Sequence, residues 1–102
     1  MGSLIEVICG AINEQKLLEF SYRSLLRVVE PMCLGEVKRG EWQLRAHQVG
    51  GRSSSSPRLP DGKPKMFVLS EILDVSVRSE SFEVPVFYRR GDTGFMKIIA
   101  QL

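Results

Sequence analysis

Arg27, Arg45, His47, Gln48, Arg52, Ser53, Arg58, Lys63 and Lys65 bring guanidinium forks, ammonium groups, an imidazole, an amide and a hydroxyl into one stretch of chain. These are the donors that hold anions, and an arginine fork in particular meets a phosphate or carboxylate through paired N–H bonds that lysine cannot reproduce. The charge is uneven. Residues 1–49 carry six basic and six acidic side chains, and residues 66–102 carry four and five. Residues 50–65 carry Arg52, Arg58, Lys63 and Lys65 against Asp61 alone, so the surplus behind the net charge of +2 sits in one segment. That segment, GGRSSSSPRLPDGKPK, also supplies four consecutive serine hydroxyls and glycines that expose backbone N–H groups. It suits contact with a phosphate backbone. The same composition also describes a solvated linker, and composition does not choose between the two.

Other chemistry is not encoded. There is no Gly-x-x-x-x-Gly-Lys phosphate loop and no nucleophile elbow. The serine run beside His47 has no positioned base with a second group to orient it. Catalysis is not expected. Cys9 and Cys33 lack the spacing of a metal or redox motif and read as reduced packing residues, so no metal and no cofactor is expected. With 43% hydrophobic and 25% charged residues, the composition is that of a soluble globular protein. Apolar runs fall far short of the roughly 20 residues that span a bilayer, and no apolar leader follows Met1. A cytoplasmic protein without membrane contact is expected.

The elements that must position these groups follow from hydrophobic period. Ser3 and Glu6 have capping-box spacing, and Leu4, Val7, Ile8, Ala11 and Ile12 form an apolar stripe, which predicts a helix over about 3–15. From Leu17 the period becomes two: Leu18, Phe20 and Tyr22 share one face of a first strand. Arg23-Ser24 turns the chain into a second strand, in which Leu26, Val28, Met32 and Leu34 alternate with Leu25, Arg27, Val29 and Cys33. Pro31 cannot donate to a ladder, which predicts an edge position or a bulge. Trp42, Leu44 and Ala46 face one way on a third strand and Gln43, Arg45 and His47 the other. Strands resume at Met66–Leu69 and at Leu73–Val77. Phe95, Ile98, Ile99 and Leu102 at helical spacing predict a short C-terminal helix. The expected fold is mainly β with flanking helices (α+β): a single domain with a small SH3-like or Sm-like five-stranded barrel over about 17–78, a long basic loop at 50–65, and an extension over 79–102 ending in the short helix.

The order of these motifs resembles the WYL domain, a small β-barrel sensor module of bacterial transcription regulators. That family takes its name from a Trp-Tyr-Leu triplet on the third strand, where this chain reads Trp42-Gln43-Leu44. Tyr22 closing the first strand, Arg27 leading into Val29-Glu30-Pro31, Ala46 after the triplet, and Phe67 and Leu69 leading into Ile72 match as well. The resemblance covers roughly residues 4–78. Gln43 stands in place of the family's Tyr, and Ser70-Glu71 replaces its usual Asp-Arg. Gln48-Val49-Gly50-Gly51-Arg52-Ser53 is similar to a segment of short stand-alone WYL-like proteins, which would carry the ligand-responsive half without a DNA-reading helix-turn-helix. The resemblance implies a basic and aromatic surface for nucleic-acid or nucleotide-like ligands.

Individual residues keep two readings. Trp42 is a core residue or a stacking platform. The Tyr22 ring is buried, with its hydroxyl inside or at a pocket rim. Arg27 is a solvated strand-face arginine or an anion fork. Gln43, Arg45 and His47 share a face, which Gln48 adjoins, and together they are either solvated and structural or a polar ligand face beside Arg27. The expected function is a non-enzymatic sensing module for an anionic ligand such as single-stranded nucleic acid or a nucleotide. The alternative is an assembly module whose edge strands pair with a second copy or a partner protein.

Overall fold

The computed structural model describes residues 2–53 and 58–102. Helix α1 (Gly2–Glu14) buries Ile8, Ala11 and Ile12 of the predicted stripe, and its Leu4 and Val7 are partly buried against the core. It begins one residue before Ser3, which places that serine inside the first turn and not at the cap. Gln15 closes the helix with φ 53°, and its main-chain oxygen accepts from Phe82 N at 3.0 Å while its amide donates back to Phe82 O at 2.9 Å. Strands β1 (Lys16–Tyr22) and β2 (Leu25–Lys38) meet across Arg23-Ser24, both at positive φ (52° and 65°), which matches the right-handed twist of the strands they join. Strand β3 (Glu41–Gly51) follows a turn at Gly40, and β4 (Lys65–Val68) passes through a 3₁₀ turn at Leu69–Glu71 into β5 (Ile72–Ser81). Strand β6 (Lys97–Gln101) ends the fold.

All ladders are antiparallel, in the order β4-β3-β2-β1-β5, with β6 paired to β2 outside that path. Strand β2 holds the sheet together. It pairs with β3 along one side, while its other side meets β1 over Leu25–Val29 and β6 over Cys33–Glu36. The register against β3 slips between Pro31 and Cys33, so the predicted irregularity at Pro31 is a bulge within an interior strand.

Two expectations are corrected. The sheet is not closed into a barrel: β4 and β5, at the ends of the path, share no ladder among the described residues. Strand β4 is only 4 residues long, and the 3₁₀ turn that follows carries the chain straight into β5, which pairs with β1. The C-terminal helix is a strand. A lone helix of one or two turns is marginal in water, and Ile98 and Ile99 are β-branched. The distal half of β2 also offers an open ladder, and Gly35 lacks the side chain that would keep β6 away: a Cβ there would lie 2.0 Å from Lys97 O.

The core lies between α1 and the inner face of the sheet. Leu18, Phe20 and Tyr22 of β1 join Val29, Leu34, Leu44, Ala46, Phe67 and Leu69, all buried. Phe67 stands edge-on to Phe20 (5.2 Å) and Tyr22 (4.9 Å). Trp42 is partly buried and packs against this cluster.

Candidate anion-binding site

Period two in β2 and β3 decides which polar groups meet. Arg27 shares the inward face with Val29, and Gln48 shares that of Leu44 and Ala46. Both are buried, Arg27 at 5% exposure and Gln48 at 0%. Arg27 is therefore not a solvated strand-face residue. Its Nη1 donates to Gln48 Oε1 at 3.2 Å and its Nη2 to Tyr22 O at 3.3 Å, while its Nε is buried without a partner among the described residues. The guanidinium carbon lies 5.5 Å from the Tyr22 ring centroid and 5.8 Å from that of Phe67, within cation–π range.

Lys65, the first residue of β4, reaches the same place. Its Nζ donates to Gln48 Oε1 at 3.3 Å and to Ser53 Oγ at 2.9 Å. Gln48 is held rigid, because its Nε2 donates to Gly50 O and Arg52 O, both at 2.9 Å. The end of β3 thus folds back around the amide, and Arg52 N donates to Leu26 O at 2.8 Å. Neither Arg27 nor Lys65 forms a salt bridge with a carboxylate among the described residues. Burial lowers the pKa of both. For Lys65, Asp61 opposes that shift and the charge of Arg27 adds to it. The result is a half-enclosed pair of cations with a neutral amide oxygen between them, an arrangement that a phosphate or carboxylate oxygen would complete.

Tyr22 belongs to this cluster through its ring and main-chain oxygen, and its hydroxyl accepts from Val68 N at 3.0 Å, inside the fold and away from any rim. The expected polar face beside Arg27 does not form. Arg45 and His47 point to the opposite side of the sheet from Arg27 and Gln48, as the alternation along β3 requires. Arg45 is ion-paired with Asp92 through Nε and Nη2. His47 is buried: Gly62 N donates to its Nε2 at 3.1 Å, which leaves the proton on Nδ1, 2.8 Å from Glu30 Oε1. Gln43 donates to Glu41 Oε1 at 3.0 Å, remote from the cluster. Arg52, Arg58 and Lys63 are exposed. The basic segment is less free than its composition suggests, since the described parts are tied to the sheet at Arg52, Ser53 and Gly62. Ser54, Ser55 and Ser56, whose hydroxyls were further candidates, lie outside the described residues.

The sequence reading missed Asp92 as the partner of Arg45, 47 positions away, and nothing local signals it. It also missed Glu30 opposite His47, although counting back along the β2–β3 ladder pairs them directly.

Comparison with known proteins places this fold. In structure the chain is similar to part of proteasome accessory factor B/C (PafBC) of Arthrobacter aurescens, with a TM-score of 0.63 and 20% sequence identity over 87% of this chain. It spans only 14% of the length of that protein. No family model matches the chain, and no curated protein matches it.

Proposed function

We propose that this chain is a non-enzymatic binding module of the WYL type, and that it holds an anionic group of a single-stranded nucleic acid or nucleotide against Arg27 and Lys65. The convergence of Arg27 and Lys65 on Gln48 Oε1 carries this reading. Buried Arg27 and half-buried Lys65 are held together around one neutral acceptor, and an incoming anion relieves their repulsion. Lys65 and Ser53, each half-buried, form the approach to the site, and exposed Arg52, Arg58 and Lys63 supply attraction along a phosphate backbone. The likeness to a segment of PafBC supports the fold on which this reading rests.

Fluorescence anisotropy with a labelled single-stranded oligonucleotide tests the reading. Affinity should fall steeply with salt, since each neutralised phosphate releases about 0.7 of a counterion. Replacing Arg58 and Lys63 with Ser should flatten that slope. Arg27→Lys should weaken binding with little change in slope, because the charge stays and the fork is lost. Absence of binding at low ionic strength would overturn it.

A second reading, assembly through the sheet, has one observation in its favour. Ser21 pairs with Leu26 on one side and Leu73 on the other, and these leucines are 48% and 61% exposed. A stable dimer in analytical ultracentrifugation that Leu73→Asp dissociates would promote this reading.

A further inference from the structure

On the far side of β3 from the Arg27–Lys65 cluster, the segment after β5 folds over β2 and β3 and leaves a cavity of about 410 Å³. That volume lies within the usual range for small-molecule sites, about 300–1,000 Å³. Its walls combine two features the proposed function does not use. The first is a pinned aromatic surface. Phe87 stands edge-on to buried His47 at 4.8 Å, and the Tyr88 hydroxyl is anchored 3.1 Å from the Leu102 main-chain oxygen. Neither ring has to be ordered when a ligand enters, which removes an entropic cost of binding.

The second feature is unbalanced charge. Arg45, Arg89 and Arg90 line the cavity against one side-chain carboxylate, Asp92. Asp92 is committed to Nε and Nη2 of Arg45. Arg90 donates through Nε to Leu102 O at 3.2 Å, and Arg89 has no partner among the described residues. The open Arg89 guanidinium beside fixed aromatic rings suits a planar ring bearing an anionic group: the ring packs on the aromatic wall and the anion meets the fork.

From this geometry we infer that the cavity is a second binding site, for a small aromatic anion carrying a carboxylate or a phosphate. The inference does not depend on the Arg27–Lys65 reading, because its residues belong to the opposite face. The test is a nuclear magnetic resonance titration of the nitrogen-15-labelled full chain with naphthoate, naphthyl phosphate and the neutral naphthalenemethanol. At least one of the two anions should give saturable shifts at the amides of Phe87, Tyr88, Gly91 and Gly94. The neutral alcohol should bind roughly tenfold more weakly or worse. Which anion binds more tightly identifies the natural anionic group. Arg89 is exposed, so its variants should keep the native spectrum. Arg89→Glu should weaken the anion by roughly tenfold or more and Arg89→Lys by less, while Lys65→Gln should leave it unchanged. Failure of both anions to saturate, equal binding of the alcohol, or shifts confined to the surroundings of Arg27 and Lys65 would each overturn the inference. The last outcome would leave the Arg27–Lys65 reading standing.

Discussion

Arg27 and Lys65 donate to a single atom: Gln48 Oε1 accepts Nη1 of the one at 3.2 Å and Nζ of the other at 3.3 Å. The two residues lie on strands that do not pair with each other, since β3 runs between β2 and β4. Their repulsion is a feature of the folded state that an unfolded chain does not share.

This relationship predicts a separation of stability from binding. Arg27→Met removes the buried charge and its unpartnered Nε while keeping much of the volume. Stability by urea denaturation should change by no more than about 1 kcal/mol in either direction, because replacing buried charge with apolar volume is often neutral or better. Oligonucleotide binding should be lost. A destabilisation of about 3 kcal/mol or more would show that Arg27 is a structural support in its own right.

Lys65 gives the site a pH dependence. Burial holds its folded pKa below the ordinary 10.5. A bound anion favours the ammonium, so affinity should fall as pH rises through the depressed value, before a solvated lysine would lose its proton. For folding the sign is opposite. The unfolded chain holds this proton more tightly, so the Lys65 contribution to stability improves with pH between the depressed value and 10.5. Anisotropy titrations from about pH 7 to pH 10 check the binding limb. A Lys65→Arg protein that declines over the same pH range as the parent would show that another group is responsible.

Gly35 is where β6 approaches β2. The Cβ of Gly35→Ala would collide with the Lys97 main-chain oxygen, which has no freedom to rotate away. The expected cost is about 1–3 kcal/mol or more, with loss of amide protection at Ile98 and Ala100. Native protection there in the variant would mean that β6 is not held by this ladder.

Cys33 predicts alkaline sensitivity. Burial raises its thiol from 9.0 to about 11, Asp92 adds to the effect, and Arg45 opposes it. The unfolded thiol releases its proton near 9.0 and the folded one only near 11, so between those values the native state holds more protons and stability falls as pH rises. Cys33→Ala should show a shallower decline than the parent over that interval. The thiol should also resist alkylation until the protein unfolds. Identical slopes would assign the decline to other groups.

Local pattern carried much of the fold. The stripe at Ile8, Ala11 and Ile12, the alternation at Leu18, Phe20 and Tyr22, the Arg23-Ser24 turn and the irregularity at Pro31 were all legible, because each depends on neighbours a few residues apart. The C-terminal segment is ambiguous in sequence because Phe95, Ile98 and Ile99 satisfy a helical period as well as a strand. An open ladder edge on β2 decided the outcome, and no window of sequence contains both segments.

The candidate site divides in the same way. From the sequence alone, Arg27, Gln48 and Lys65 belong to a set of anion-holding residues, a matter of side-chain chemistry that needs no coordinates. Their selection from that set, and the removal of Arg45 and His47 to the other face, came from folding. Inward and outward positions alternate along β3, the Pro31 bulge resets the register of β2, and Asp92 and Glu30 occupy the two groups left outside. Chemical type is a property of each residue. Convergence on one amide oxygen is a property of strands brought side by side, which only tertiary structure can supply.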